Sequence, residues 1–332
     1  MAITPTAARA HVAAPSAPLR DIAGSTVTFA SDGSRYAAWQ ESESSPIIVL
    51  DTTTGQTRSV TPPAGCTLQS QEDQITPPYG EAATPNAGAG RFLLQCPVYG
   101  QVLNIHTGEA QMLPDDLGRY KWTLVGSHYA ESPDTGCRGY DECIALYDLS
   151  TGAISIRHVP GLVDLNRPGA PSLALCPDLR HRVLAAEKAD SPSPFAYENG
   201  LFVHAAKRAG YVEIDRCTRH PIMLPGRGEP RDFDLSDGLL TWDTGYRSEG
   251  VDEAVESRSP SVLSAYQLAT GKRRSWRLPQ LRLLHLEEPR RVAFGYSTHA
   301  ANTVFWIADR SAQHGDVLGL IVDTSSVYSA KF

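Results

Sequence analysis

Short runs in which apolar and polar residues alternate fill most of the chain, and turns containing Gly, Asp, Asn or Thr separate them. Period two puts successive side chains on opposite faces of a β-strand. YDLSTGAISIRHVPG (147–161) shows the unit: an alternating strand, a Ser-Thr-Gly turn, a second alternating strand and a proline. It recurs as IIVLDTTTGQTRSVTPP (47–63), VLNIHTGEAQMLP (102–114), VEIDRCTRHPIMLP (212–225) and LSAYQLATGKRRSWRLP (263–279). Glycine tolerates the positive φ of such turns, and Asp or Thr beside it bonds the turn backbone. Helical periodicity is nearly absent.

A second hairpin precedes each unit. VTFASDGSRYAAW (27–39), FAYENGLFVHA (195–205) and FDLSDGLLTWD (233–243) turn on Asp-Gly or Asn-Gly. NAGAGRFLLQC (86–96), WTLVGSHYAE (122–131) and LLHLEEPRRVAFGY (283–296) are weaker versions. Hairpin followed by hairpin makes four antiparallel strands, and tandem four-stranded units are the blades of a β-propeller. The pattern therefore predicts an all-β fold: a single β-propeller of six four-stranded blades, bounded at 21–63, 64–115, 116–161, 162–226, 227–280 and 281–332. Seven blades is the alternative, because 162–194 is long enough to hold more strands. The last blade lacks a Thr-Gly hairpin, so the N-terminal segment 1–20 is expected to lend a ring-closing strand, with RAHVAA (9–14) as donor, and the propeller to span 21–332.

FASDGSRYAAWQESESSPIIVLDTTTGQTRSVTPP (29–63) resembles a TolB-type WD-like propeller repeat, with its Asp-Gly hairpin, extended I-x-V-x-D strand, Gly turn and closing Val-Thr. Residues 197–225 and 233–279 carry the pattern loosely. The resemblance implies a periplasmic or secreted scaffold for protein contacts; its repeat residues are structural, so no functional residue carries over.

A formal charge of −7 argues against a nucleic-acid binder, which needs a basic face. No apolar run approaches membrane-spanning length. The six cysteines, an even number without C-x-x-C spacing, are consistent with disulfides. Setting Cys137 with Cys143 leaves Cys66 with Cys96 and Cys176 with Cys217, one of several connectivities; reduced, buried thiols are the alternative. Disulfides would imply a secreted, periplasmic or cell-envelope setting.

In an A-B-C-D meander the A–B and C–D turns lie at one end, and the B–C loops and D-to-A crossings at the other. The long segments 64–85, 131–142, 161–194 and 243–261 all fall in the second set by this reading, and loops on a rigid frame carry function. The acidic segment 243–259 reads as a solvated loop, and the loop around Arg138, Tyr140 and Asp141 as a recognition tip or a staple. Arg119, Arg231 and Arg282 each stand seven residues before a hairpin turn and are candidates for an anion-attracting rim, with Tyr120 and Asp232 alongside. His285, on an expected inner strand, is the best-placed histidine. Lys272, Arg273 and Arg274 read as a charged guard on an edge strand.

No G-x-S-x-G, H-E-x-x-H or phosphate-binding glycine loop occurs. The expectation is an exported, non-enzymatic, monomeric propeller without metal or cofactor. Its long-loop face would bind an extracellular or cell-envelope protein or a glycan. The alternatives are a propeller lyase or hydrolase with a channel metal, and a carbohydrate-binding propeller using Tyr79, Tyr120 and Tyr246.

Overall fold

A computed structural model describes residues 19–26, 28–69, 90–114, 122–125, 129–134, 142–159, 195–198, 201–206, 210–216, 220–226, 230–236, 238–244, 262–279, 291–313 and 320–332. All regular structure among them is β, in six four-stranded antiparallel sheets. The chain enters on β1 (Arg20–Thr26). Sheet 1 follows as β2 (Thr28–Ser31), β3 (Tyr36–Gln40), β4 (Ile47–Asp51) and β5 (Thr57–Val60). Sheet 2 holds β6 (Thr67–Leu68), β7 (Arg91–Gln95), β8 (Gln101–Asn104) and β9 (Ala110–Met112). Sheet 3 holds β10 (Thr123–Val125), β11 (Tyr129–Asp134), β12 (Glu142–Asp148) and β13 (Ile154–Val159). Sheet 4 holds β14 (Phe195–Glu198), β15 (Leu201–Ala205), β16 (Tyr211–Arg216) and β17 (Ile222–Pro225). Sheet 5 holds β18 (Pro230–Ser236), β19 (Leu239–Thr244), β20 (Val262–Gln267) and β21 (Arg273–Arg277). Sheet 6 joins both ends of the chain: β22 (Arg291–Ala300), β23 (Thr303–Gln313), β24 (Leu320–Lys331) and then β1.

The alternation read from the sequence is what stacks these sheets. In β3, Tyr36 and Ala38 point into a core shared with Phe92, Leu94 and Leu103 of sheet 2. Ala37 and Trp39 point the opposite way, into a core with Phe305, Ile307 and Val327 of sheet 6. Leu93 faces Trp122 and Ala145 of sheet 3, while its neighbours Phe92 and Leu94 face sheet 1. Leu240 and Trp242 meet Val203 and Ile214 of sheet 4, whereas Leu239 and Leu263 meet Trp306 of sheet 6. A strand buried on both faces gains from each, which suits these near-continuous apolar runs. Five such cores join the sheets in the series 3–2–1–6–5–4. Within that series the first strands stand side by side, β14 against β18, β18 against β22, β22 against β2 and β2 against β6. They form the inner edge, and the fourth strands lie outermost.

Polar links reinforce the apolar ones. Ser31 Oγ donates to the His299 carbonyl at 2.6 Å, and Thr298 Oγ1 and the His299 N–H donate to Asp234 Oδ2 at 2.8 and 3.0 Å. The Leu68 N–H donates to Gln40 Oε1, and the Trp306 indole N–H to Asp243 Oδ2 at 3.1 Å. The edge-strand arginines do the same on the outside. Arg273 donates to the Pro225 carbonyl of sheet 4, and Arg274 to the Lys331 carbonyl of sheet 6 at 2.9 Å. The Lys272 ammonium stands over the Phe332 ring. The cluster read as a charged guard is thus a clamp between neighbouring sheets.

Three expectations are corrected. The strand from the N-terminus that joins the last sheet is Arg20–Thr26, pairing with β24; residues 9–14 lie outside the described set. The first strand of sheet 2 is Thr67–Leu68, well before NAGAG, because the Cys66–Cys96 disulfide and the Gln40 side chain hold the chain there. The innermost strand of sheet 6 is β22, and its hairpin turns on Ala301–Asn302, not on the 287–290 region.

Candidate functional site

The two ends of the sheets are built differently. At one end the C–D loops repeat a single design. In 52–55, 105–108, 149–152 and 268–271 the glycine N–H donates to the residue four earlier at 2.7–2.8 Å, and the Thr hydroxyl accepts the N–H two residues on. Asp51, Asn104 and Asp148 each accept the N–H two residues later on a side-chain oxygen. Three of the four loops also lean on their own sheet: the N–H groups of Thr52, Ile105 and Leu268 donate to the carbonyls of Arg35, Gly90 and Gly238. Such loops have spent their polar groups on themselves.

Charge at this end is also internally matched. Arg35 grips Asp51 with two bonds, at 3.1 and 2.6 Å, and holds its carboxyl far below the usual range while its own guanidinium is raised. The Ser150 hydroxyl and backbone lower Asp148. Burial pushes Asp32 up, against the N–H groups of Ser34, Arg35, Tyr36 and Gly90 that favour its charged form. An open cleft of about 200 Å³ between sheets 1 and 2 is lined by Tyr36, Asp51, Arg58 and His106, but Asp51 is already committed to Arg35.

The other end receives the B–C loops and the crossings. The described strands that flank 135–141, 160–194 and 245–261 all open there. The fourth long segment does not. Gln69 and Gly90 both sit at the turn end, since Gln69 bonds Leu93 and Gly90 bonds Ile105, so the chain between them joins β6 to β7 there. The stretch 64–69 is instead the crossing and first strand of sheet 2. A glycine-rich segment taken for a hairpin turn shifted that assignment by a whole strand.

Most of the residues singled out in the sequence lie outside the described set: Arg119, Tyr120, Tyr246, Arg282, His285, Tyr79, the 138–141 tip, and Cys137, Cys176 and Cys217. Arg231 lies on β18, paired with Asp243 beside the 245–261 connection, and Asp232 falls in the register shift between Arg231 and Asp234. Because the last hairpin turns on Ala301–Asn302, Arg282 does not stand seven residues before it, and Arg282 and His285 precede the described inner strand in sequence. The three-arginine register is therefore not a repeat. Asp243 belongs to β19 and is buried against Trp306, not part of a solvated acidic loop. Cys143 is on β12, opposite His158.

One cluster escaped the sequence reading. His204 of β15 stands opposite Glu213 of β16, and Asp215 lies two residues along on the same face. Their ligand-type atoms all fall within 4.8 Å of one another. His204 Nε2 is 3.1 Å from Asp215 Oδ2, its Nδ1 is 2.9 Å from the Ala205 carbonyl, and its ring lies on Phe202. The signal was E-x-D on one strand across a hairpin from a histidine, legible only once the register was known. A second histidine, His299, is wholly buried with Nδ1 3.0 Å from Asp234 Oδ2, tying the two inner strands β22 and β18.

Among the described residues, six antiparallel four-stranded sheets stacked face to face, the first strands of five of them side by side, define a β-propeller-like protein. No known family and no curated protein matches the chain. Among solved structures it is similar to a luciferin-regenerating enzyme, at 7% identity and a TM-score of 0.36, over 95% of each chain. It is also similar to a protein of unknown function from Bacteroides thetaiotaomicron, at 7% identity and 0.34, over 94% of this chain and 72% of that one. A third, U3-55K, gives 10% identity and 0.29 over 94% and 98%.

Proposed function

We propose that the chain is a closed six-bladed propeller of TolB-type repeats, exported, which binds a protein partner through the end that bears three of its four long connections. It performs no chemistry of its own. One observation carries this reading: three of the four long segments, 135–141, 160–194 and 245–261, issue from one end of consecutive sheets, while the C–D loops at the turn end satisfy their own polar groups. Loops held at one end of a rigid frame bind without disturbing it. The Cys66–Cys96 disulfide supports an oxidising compartment. Among the described residues no helix is long and apolar enough to cross a membrane.

The test replaces 245–261 with a short Asn-Gly turn and, separately, places Glu109→Lys at the turn end of the full chain. Both variants are expected to melt like the parent, and only the first to lose partners captured from extracellular or envelope extracts. Capture lost by the second variant and kept by the first contradicts the reading. Capture of glycans instead of protein moves it to the carbohydrate-binding alternative.

A further inference from the structure

We propose that His204, Glu213 and Asp215 bind a divalent transition-metal ion of the zinc type. Val203, Val212 and Ile214 face the core shared with sheet 5, so the alternating residues Phe202, His204, Glu213 and Asp215 share the opposite face of sheet 4. That register is rigid: two paired strands fix three ligand-type side chains, with no loop among them. It offers one imidazole and two carboxylates, a donor set that suits zinc and its neighbours better than calcium or magnesium, which favour all-oxygen shells.

The histidine is oriented for the task. Its Nδ1 faces the Ala205 carbonyl at 2.9 Å, an acceptor that keeps an N–H on that side, which leaves Nε2, 3.1 Å from Asp215 Oδ2, as the nitrogen for the metal. Metal-bound histidines are commonly fixed in this way by a carbonyl on the other nitrogen. Ligands about 2.0–2.1 Å from a tetrahedral ion lie about 3.3 Å apart. The 3.1 Å between Nε2 and Asp215 Oδ2 already fits such a pair, and a Glu213 carboxylate oxygen lies within 4.8 Å of both. Asp215 is 7% exposed at its side chain and His204 17%, so the pair is largely shielded from solvent. His204 lies at the β15 end next to the 206–210 loop, opposite Phe195, where the 160–194 crossing enters the sheet. The cluster therefore lies at the end that carries three of the four long connections.

The experiment uses the untagged full chain, stripped with chelator and titrated with Zn²⁺ by calorimetry and with Co²⁺ by visible absorption. One equivalent of each is expected, with Co²⁺ giving the ligand-field bands of a low-coordinate N/O site. Glu213→Gln is expected to weaken binding at least tenfold without moving the melting temperature of the metal-free protein. His204→Gln is expected to abolish the Co²⁺ bands. No stoichiometric uptake would mean that the three side chains are only an ion pair, and the proposal fails. Uptake unchanged in both variants also overturns it, since the ion then sits elsewhere.

Discussion

Gly55, Gly108, Gly152 and Gly271 have φ of 73°, 75°, 73° and 69°, the left-handed region that a Cβ disfavours. Around Gly55 a Cβ would meet nothing within 4 Å, so its substitution tests backbone strain alone. Gly55→Ala is expected to cost about 1 kcal/mol in denaturant unfolding, with activity of any kind untouched. Asp51 gives a second test. Its carboxyl is lowered by Arg35, so it stabilises the fold above the unfolded value of about 3.9 and that contribution is lost as pH falls through the lower folded value. The stability gap between the parent and Asp51→Asn should stay constant near neutrality, stay within about 1 kcal/mol because the pair is exposed, and close below about pH 4. These turns were legible because Thr-Gly chemistry is local. The roles of Ser31, Gln40 and Asp234 were not, because each reaches a backbone group of another sheet that no short window contains.

At the level of elements, alternation located most strands, and failures fell where turn chemistry was unusual. The β22–β23 hairpin uses Ala301 at φ 47°, where glycine is the ordinary choice, so nothing in the sequence announced it. The same fact yields an expectation: Ala301→Gly relieves the left-handed strain and should raise stability by roughly 0.5–1 kcal/mol, measured by chemical unfolding. Conversely, NAGAG looks like a turn but follows an interruption in sheet 2, whose two-residue first strand was too short to read. Inter-sheet bonds are a further element-scale feature. Trp306→Phe keeps the ring in its core and removes the indole donor to buried Asp243, which should cost about 1–3 kcal/mol in thermal or denaturant unfolding.

Across the whole molecule, the six sheets of the described residues were legible because the four-strand pattern repeats, and 162–194, where a seventh was the alternative, lies outside them. How the cores alternate across each sheet followed from period two alone. The site was far less legible. An arginine rim inferred from a seven-residue spacing depends on where each hairpin turns, and one misplaced turn removes Arg282 from it. His204, Glu213 and Asp215 went unread because they meet only through cross-strand register. The Cys66–Cys96 bond, with a sequence separation of 30, fastens the sheet 1 crossing to β7, and its removal by Cys66→Ser with Cys96→Ser should cost about 3–4 kcal/mol on chain entropy.

The architecture rests on the two chain ends meeting in one sheet, where Arg20 pairs with Ser329, Asp21 with Tyr328 and Ala23 with Val327. Hydrogen exchange read by mass spectrometry over 20–26 addresses this directly. The account predicts that these amides exchange as slowly as those of 326–330, despite lying near the start of the chain. Exchange of 20–26 at the rate of an unstructured peptide, while β23 and β24 stay protected, would contradict it.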